Sequence, residues 1–299
     1  MKLGISLPVF TADVSRPMEI ADRCAALGVD GVFSPDHLFP PVFYPPSGPD
    51  RPALEPFTLL AAVAARHPSM AVGTLVTRVT LRPAGLLAKE AAALDAMTGG
   101  RAILAVGSGD RASLPEHETY GIAFPSVADR LRLLEESVSA IRALFEGRGW
   151  PGGAMVPALS GPLVPPGSPE LWVGGRSEAV LSIAARAADA WNGWGQDAEA
   201  FAASAARLRA LAQGRDVAPT WGGIALVGED RADLDRLLAD RDRRGLPRDG
   251  LWAGTAQELR AFADRLAEAG ATWLILLPVG PLDRLELITR TLRPWTVAS

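Results

Sequence analysis

The chain has 299 residues, of which 48% are hydrophobic and 21% charged, and its formal net charge is −4 at pH 7. The negative charge gives no electrostatic support for general nucleic-acid binding, and no apolar run approaches the roughly 18 residues of a membrane-spanning helix. The single cysteine, Cys24, excludes an internal disulfide, and we expect a buried, unreactive thiol in a cytoplasmic protein.

Strand-like and helix-like segments alternate along the sequence. Short apolar runs predict strands at residues 2–7, 29–34, 70–77, 102–106, 171–173, 190–194, 220–227 and 273–277. Helical periodicity and end signals predict helices at residues 16–27, 55–66, 83–97, 126–145, 178–188, 198–212, 231–243, 257–269 and 283–292. The helix over 126–145 is the clearest, because its apolar residues recur at spacings of three and four.

Eight β/α steps in a chain of this length predict an α/β fold, a single (β/α)8 TIM barrel domain that covers residues 1–299. A doubly wound open sheet is the alternative, but the turn after the first strand lacks the G-x-G-x-x-G fingerprint of such sheets. The Gly- and Pro-rich segment 148–169, an insertion before the fifth strand, is expected to be a long loop above the barrel, with room for a short hairpin.

A proton-handling pair, Asp36 and His37, follows the second predicted strand. In a (β/α)8 barrel the carboxyl ends of the strands form the rim that carries the active site. Imidazole titrates near pH 6.5, roughly, so His37 is the natural proton donor or acceptor there. His117 lies in a predicted loop beside Glu116 and Glu118, where a structural and a functional role are both open.

Two glycine-rich strand ends have the character of ligand sites. Residues 174–177, Gly-Gly-Arg-Ser, join a strand to a helix, where free backbone N–H groups and the helix dipole favour a phosphate. A plain tight turn capped by the serine is the structural alternative. Residues 107–109, Gly-Ser-Gly, leave room for a flat ligand. Trp191, Trp194 and Trp221 could line the barrel mouth or belong to the core.

Several other chemistries lack the residues they need. Lysine occurs only at Lys2 and Lys89, neither at the carboxyl end of a predicted strand, which argues against a Schiff-base aldolase. Three histidines, of which only His37 ends a predicted strand, argue against a metal-hydrolase site. The sequence also lacks a G-x-S-x-G motif and paired cysteines. Chemistry without a protein nucleophile or a metal indicates an organic cofactor.

The sequence resembles the bacterial luciferase-like monooxygenases over nearly its whole length, in the branch that uses the deazaflavin coenzyme F420. The resemblance lies in the segments LGISLP, GVDGVFSPDHLF, GTLVTRVTLRPAGLLAKEAAALDAMTGGRAILAVGSGD, EHETYGIAFPSVADRLRLLEE and LWVGGRSEAVLSIAARAADAWNGW. It implies a (β/α)8 barrel that holds the cofactor ring in its mouth, and an oxidoreductase.

The same resemblance implies roles for individual residues. Asp36 and His37 would face the ring, with His37 and Asp110 as the acid–base groups. The implied cofactor contacts are Thr74 and Leu75 at a non-prolyl cis peptide bond, Thr77, Gly107, Ser108 and Gly109 along the ring and ribityl chain, and Gly174, Gly175, Arg176 and Ser177 at the phosphate. Related sugar-phosphate dehydrogenases have a glutamate where Asp110 stands. Aspartate is shorter than that glutamate, and the chain lacks a lysine to bind a substrate phosphate. Both differences make a sugar phosphate a poorer fit as the substrate.

The predicted reaction is hydride transfer between F420 and a small organic substrate, with His37 as proton donor or acceptor. An FMN-dependent two-component monooxygenase that consumes oxygen is the alternative enzyme. A non-catalytic flavin-binding barrel and a phosphate-binding lyase or isomerase are further alternatives. Phe39, Phe43 and Tyr44 beside a proline-rich segment favour an apolar substrate. We expect no metal, nucleic-acid or membrane partner, and a homodimer is compatible with the composition.

Overall fold

The short apolar runs of the sequence form the wall of a closed parallel barrel in the computed structural model, which describes residues 1–41 and 44–293. The barrel strands are β1 (Lys2–Ser6), β2 (Gly31–Ser34), β3 (Ala71–Thr74) with its continuation β4 (Thr77–Arg78), β5 (Ala102–Gly107), β6 (Glu170–Gly174), β7 (Ala190–Trp194), β8 (Ala218–Gly228) and β10 (Trp273–Pro278). Strand β10 pairs with both β1 and β8, so the sheet closes on itself. The predicted (β/α)8 barrel is confirmed.

Helices cover the outside of the barrel. Within the described ranges they are α1 (Ser15–Leu27), α2 (Pro56–Arg66), α3 (Ala84–Thr98), α4 (Leu114–Thr119), α5 (Val127–Phe145), α6 (Glu178–Ala187), α7 (Ala198–Ala212), α8 (Arg231–Arg243), α9 (Ala256–Glu268) and α10 (Arg284–Leu292). Helix α5 buries Leu134, Val138 and Ile141 completely, as its periodicity predicts. On α1, Cys24 is fully buried as expected, and burial raises the pKa of its thiol to about 12.

Three aromatic side chains fill the interior of the barrel. The ring centroid of Phe33 lies 5.7 Å from that of Trp172 and 5.4 Å from that of Trp273, and the two tryptophan rings are 6.0 Å apart. All three side chains are buried. The barrel is therefore a packed core below its rim, and ligands have room only above this aromatic layer.

The third predicted strand was wrong in one respect, because it is not continuous. Strand β3 ends at Thr74, the peptide bond between Leu75 and Val76 is cis, and the short strand β4 follows. Both pieces pair with β5, so the chain bulges between them without leaving the sheet. An unbroken apolar pattern does not reveal this bulge, because most of its residues are buried like those of a regular strand.

The segment 148–169 does not lie above the barrel mouth, which corrects the prediction. It packs on the outside, where Glu136 of α5 accepts hydrogen bonds from the backbone N–H groups of Ala154, Met155 and Val156, and Lys89 of α3 bonds to the carbonyl of Val164. A connection from a helix to the next strand begins at the amino end of the barrel, away from the rim. Its hairpin is reduced to a single antiparallel bridge between Trp150 and Leu159.

The sequence-based prediction missed three short elements. A 3₁₀ turn at Arg111–Ser113 leads into α4, and β9 (Leu251–Thr255) pairs with the outer half of β8. Phe43 of the predicted aromatic wall lies outside the described residues. None of the helices in the described ranges is both long and apolar enough to cross a bilayer.

Candidate active site

Two arginines that follow the bulge meet two carboxylates at the rim. Arg78 donates from Nη2 to Glu116 at 2.6 Å and from Nε to the backbone carbonyl of Asp36 at 3.1 Å. Arg82 donates from Nη1 to the Asp36 carboxylate at 2.5 Å. These residues and His37 form the Glu116 network: Asp36, His37, Arg78, Arg82 and Glu116. The network joins the loop after β2, the segment after β4 and helix α4.

His37 is held at its Nδ1 atom. The Nδ1–H group donates to Oε1 of Glu116 at 2.8 Å, and the backbone N–H of Leu38 donates to Oε2 of the same carboxylate at 2.6 Å. Glu116 is fully buried, whereas the His37 side chain is 21% exposed. In the neutral ring with a proton on Nδ1, the basic lone pair is on Nε2. The network therefore orients a histidine whose reactive nitrogen is Nε2.

Glu116 is held in its charged form. Burial alone would raise the pKa of this carboxyl group, but the hydrogen bond from His37, the charges of His37 and Arg78, and the Leu38 N–H together bring the pKa below its ordinary value. The neighbouring His117 is buried and bonds to the carbonyl of Ala123, at 3.0 Å. Burial, with the nearby charge of Arg78, lowers the pKa of His117, so its neutral form is favoured.

Asp36 lies beneath the surface of the rim. Its side chain is about 1% exposed, and its Oδ2 atom accepts hydrogen bonds from Thr77 Oγ1 and Arg82 Nη1, both at 2.5 Å. These contacts favour a supporting role, in which Asp36 and Thr77 fix the loop that carries His37. Direct contact of Asp36 and Thr77 with a cofactor stays a prediction.

The bulge projects Val76 between two glycines. A Cβ atom on Gly107 would lie 2.8 Å from Cγ2 of Val76, and one on Gly174 would lie 2.6 Å from its Cγ1. Both distances are too short for carbon atoms, so these two positions must be glycine for Val76 to pack there. The cis bond lies between Leu75 and Val76, one residue beyond the predicted position at Thr74 and Leu75. Leu75 itself is buried against the barrel interior.

The side chain of Thr74 bonds to β5 at the point where backbone pairing between β3 and β5 ends. Its Oγ1 atom donates to the carbonyl of Ala105 at 2.9 Å and accepts from the Ala105 N–H at 3.1 Å. The side chain is buried, so the structure gives Thr74 a role in holding the bulge against β5. Its predicted contact with a cofactor is untested.

The turn after β6, the predicted anion site, is fixed by two hydrogen bonds at Gly175. The N–H of Gly175 donates to the carbonyl of Asn192 at 3.1 Å, and the indole N–H of Trp191 donates to the Gly175 carbonyl at 2.6 Å. Arg176 and Ser177 are exposed, and Ser177 caps α6 by accepting from the Val180 N–H. The first N–H groups of a helix lack acceptors within it, and those of α6 begin at this turn.

The carboxylate that directly follows this turn in the sequence has its charge offset by an arginine. Glu178, the first residue of α6, is paired with Arg207, whose Nε lies 2.8 Å from its Oε1. Both side chains are more than half exposed, so the pair contributes little to stability, but it offsets the negative charge beside the turn. With Glu178 paired, Arg176 is the remaining charged side chain of residues 174–178, and phosphate binding at this turn stays a prediction.

The remaining predicted residues lie along the rim but outside the Glu116 network. Ser108 and Gly109 are partly exposed after β5. Asp110 is exposed, and the N–H of Ser113 donates to its carbonyl at 3.1 Å at the start of the 3₁₀ turn. Within the described ranges Asp110 makes no hydrogen bond or ion pair with His37. The predicted role of Asp110 as a second acid stays a prediction.

Sequence reasoning missed Arg78, Arg82 and Glu116 as site residues. Two arginines in an otherwise apolar stretch after a strand were the available signal, because a buried arginine requires a carboxylate partner. The open question about Trp191 and Trp221 is answered, since both are buried in the core. Trp191 stacks on Phe201 of α7, and Trp221 meets Phe262 of α9 edge to face. No cluster of three or more metal-ligating side chains occurs in the described part of the chain.

Comparisons with known proteins agree on the family. The model of the family described as luciferase-like monooxygenase matches residues 1–276. An F420-dependent glucose-6-phosphate dehydrogenase from Nakamurella multipartita is 38% identical over 141 residues, which are 46% of this chain and 39% of that protein. The chain spans only 36–62% of the length of the curated relatives it matches. The family resemblance predicted from the sequence is confirmed.

Solved structures show the same fold at low sequence identity. An F420-dependent secondary alcohol dehydrogenase in complex with an F420–acetone adduct superposes with a TM-score of 0.80 at 17% identity, covering 97% of both chains. An EDTA monooxygenase from Chelativorans sp. BNC1 superposes with a TM-score of 0.79, also at 17% identity, over 100% of this chain and 95% of the other. The structurally similar barrels thus include both a protein described as F420-dependent and one that is not.

Proposed function

Since the chain belongs to the luciferase-like monooxygenase family and is an oxidoreductase, we propose that it uses coenzyme F420 to transfer a hydride to or from a small organic substrate. The observation that carries the proposal is the Glu116 network, which holds His37 on the rim that also carries the bulge at Val76. The F420-dependent relatives support the choice of cofactor. Cytoplasmic location and a homodimer stay predictions.

The residues at the rim fit a flat cofactor with a phosphate. Arg176 and the N–H groups at the start of α6 would bind the phosphate, since that turn is exposed and positive. Val76, packed on Gly107 and Gly174, provides an apolar surface on which a ring can lie. When bound, the deazaflavin supplies or accepts the hydride, which is chemistry that protein side chains lack.

His37 moves the proton that accompanies the hydride. Glu116 accepts from Nδ1–H and thereby fixes the tautomer in which Nε2 is basic. In alcohol oxidation, Nε2 takes the hydroxyl proton. In the reverse direction, Nε2–H donates a proton to the reduced product. The buried carboxylate favours the positive charge that His37 gains in between, as an orienting carboxylate does in other histidine-dependent enzymes.

The test is a direct comparison of cofactors. Purified protein is titrated separately with oxidised F420 and with FMN, following the quenching of tryptophan fluorescence. We expect micromolar binding of F420 and much weaker binding of FMN, and weaker F420 binding in Arg176→Gln. Arg132→Gln on α5, outside the anion turn, is the matched control and should leave the affinity unchanged.

Other outcomes would replace the proposal. Preferential binding of FMN, with oxygen consumption when the flavin is reduced, would identify a two-component monooxygenase. Tight binding of F420 without turnover of any hydride donor or acceptor would indicate a non-catalytic cofactor-binding barrel. If neither cofactor binds, the turn after β6 is not a phosphate site and has only a structural role.

A further inference from the structure

A cavity of about 770 Å³ opens at the rim between β1, β8 and β10. This volume is typical of sites for small organic ligands. Its floor is apolar and includes Ile5, Ile224, Leu226 and Leu277, side chains at or near the carboxyl ends of those strands. The cavity lies on the same rim as the Glu116 network, away from the anion turn after β6. An apolar part of a ligand can therefore be buried here.

Helix α8 places cations over this apolar floor. Five arginines and two aspartates line the cavity, and four of the arginines belong to α8 or directly follow it. Arg243 and Arg244 share the single carboxylate of Asp240, at 3.1 and 3.8 Å. Arg241 donates to the carbonyl of Pro247, which holds the loop that closes the wall. Arg236 is paired with Asp233, which lies outside the lining. Among the lining residues themselves the arginines still outnumber the aspartates, so the cavity wall carries an excess of positive charge.

Two aromatic rings connect this cavity to His37. The ring centroids of His37 and Phe10 are 5.7 Å apart, and those of Phe10 and Tyr44 are 4.8 Å apart. Tyr44 lines the cavity. The Tyr44 ring is therefore at most 10.5 Å from the His37 ring, and the cavity wall comes at least that close to His37. A ligand in the cavity can extend one end towards His37 along Phe10 and Tyr44.

We propose that this cavity binds the non-reacting part of the substrate, and that the substrate is an amphipathic anion, with an apolar body and a terminal carboxylate or phosphate. The body lies on the β1–β8–β10 floor, and the anion pairs with Arg243 and Arg244. The location of the substrate rests on the proposed function, whereas the binding of an amphipathic anion does not. An arginine pair is suited to both anions, because guanidinium groups bind either one through paired hydrogen bonds.

The test uses ligands that differ only in the head group. Decanoate, decyl phosphate, decanol and decyltrimethylammonium are titrated calorimetrically into the protein without added cofactor. We expect the two anions to bind at least about tenfold more tightly than decanol, which is the effect of one or two charge-assisted hydrogen bonds. The tighter of the two anions identifies the head group. Equal affinities for all four ligands, or preference for the cation, would overturn the proposal.

Variants separate the arginine pair from general surface charge. The double variant Arg243→Gln/Arg244→Gln should lose the preference for anions over decanol, whereas Arg207→Gln on α7 should keep it. Ile224→Phe, which narrows the floor, should weaken binding of decanoate and decanol together and leave the affinity for F420 unchanged. An anion preference that survives the double variant contradicts the proposal. Failure of F420 binding with intact decanoate binding would overturn the cofactor assignment alone.

Discussion

Nδ1 of His37 and Oε1 of Glu116 lie 2.8 Å apart, although 79 positions separate the two residues in the sequence. One residue follows β2 and the other lies in the short helix after β5, and the two come together because β2 and β5 flank β3 in the sheet. Arg78 stabilises the contact by pairing with the same carboxylate, and its side chain is only 4% exposed. This arrangement leads to predictions for activity, stability and pH dependence.

The first prediction concerns the roles of His37 and Glu116. We expect His37→Ala to lower kcat by about 10²- to 10⁴-fold, the usual contribution of a general acid or base. Glu116→Gln should lower kcat by at least about tenfold, because it removes the charge that faces His37. Both variants should bind F420 within about threefold of the wild type, since neither residue holds the phosphate. Steady-state rates and fluorescence titrations measure the two effects.

The exposed Glu118, two positions further along the chain, is the matched control. Glu118→Gln should leave both kcat and cofactor affinity unchanged. Wild-type turnover in His37→Ala would remove this histidine from the mechanism.

The second prediction concerns the buried Arg78–Glu116 ion pair. Either Arg78→Met or Glu116→Gln alone should lower the free energy of unfolding by about 3–5 kcal/mol, because each leaves one buried charge without its partner. The double variant should cost much less than the sum of the two changes. Urea unfolding of the four proteins gives the coupling free energy.

An exposed pair of the same length provides the comparison. Arg186 and Glu135 also lie 2.6 Å apart, but both side chains are about half exposed. The same cycle on this pair should give a coupling below about 1 kcal/mol. Equal couplings for the two pairs would show that burial does not control the strength of the interaction here.

The third prediction concerns acid sensitivity. The pKa of His117 is lowered in the folded protein, chiefly by burial, so the unfolded chain takes up a proton first as the pH falls. Stability should therefore decline as soon as the pH drops below about 6.5, the ordinary value for histidine. The pKa of Glu116 is also lowered, so its contribution is present above its ordinary value and is lost as the pH falls below about 4.5.

Thermal unfolding between pH 8 and pH 3.5 separates these two stages. His117→Gln should flatten the decline just below pH 6.5, roughly, and leave the later, acidic stage in place. Comparison at pH 8, where histidine is neutral in both states, corrects for the change in packing. A wild-type slope between pH 7 and pH 5 in His117→Gln would contradict the assignment.

The fourth prediction concerns the packing of Val76 against Gly174. A methyl group at position 174 would lie 2.6 Å from Cγ1 of Val76, so Gly174→Ala should destabilise the protein by about 1–3 kcal/mol, as overpacking does. It should also weaken F420 binding, because Val76 must move. Adding Val76→Ala should restore most of the stability, as shown by chemical denaturation.

Gly85→Ala in α3 is the control for replacing a glycine. Its new methyl group would lie 3.4 Å from the nearest atom, so stability should be unchanged or slightly higher. If Val76→Ala does not relieve the effect of Gly174→Ala, the two side chains do not compete for the same space.

The sequence was sufficient to predict the barrel but not the details of its rim. Periodicity identified eight barrel strands, because alternating strands and helices bury predictable faces. It did not place the cis bond, since a one-residue shift leaves the apolar pattern of residues 70–77 unchanged. Helix α4 was missed because six residues are too few for a periodic signal. Glu116 could therefore not be assigned to His37 from local patterns, and their contact depends on the tertiary structure.

Strand β8 extends beyond its pairing with β7, and β9 pairs with the extension. Residues 218–222 of β8 pair with β7, whereas Ile224–Gly228 pair with β9. At Ile224 and Ala225 the strand also pairs with β10, so β9 must occupy the edge that β7 has left. The backbone pairs that join β8 to β10 lie at residues 220–225 and 273–278, so none of residues 229–255 takes part in closing the barrel. Helix α8 and β9 are attached to the outer half of β8, and the cavity wall that α8 builds is therefore separate from the hydrogen bonds that close the barrel.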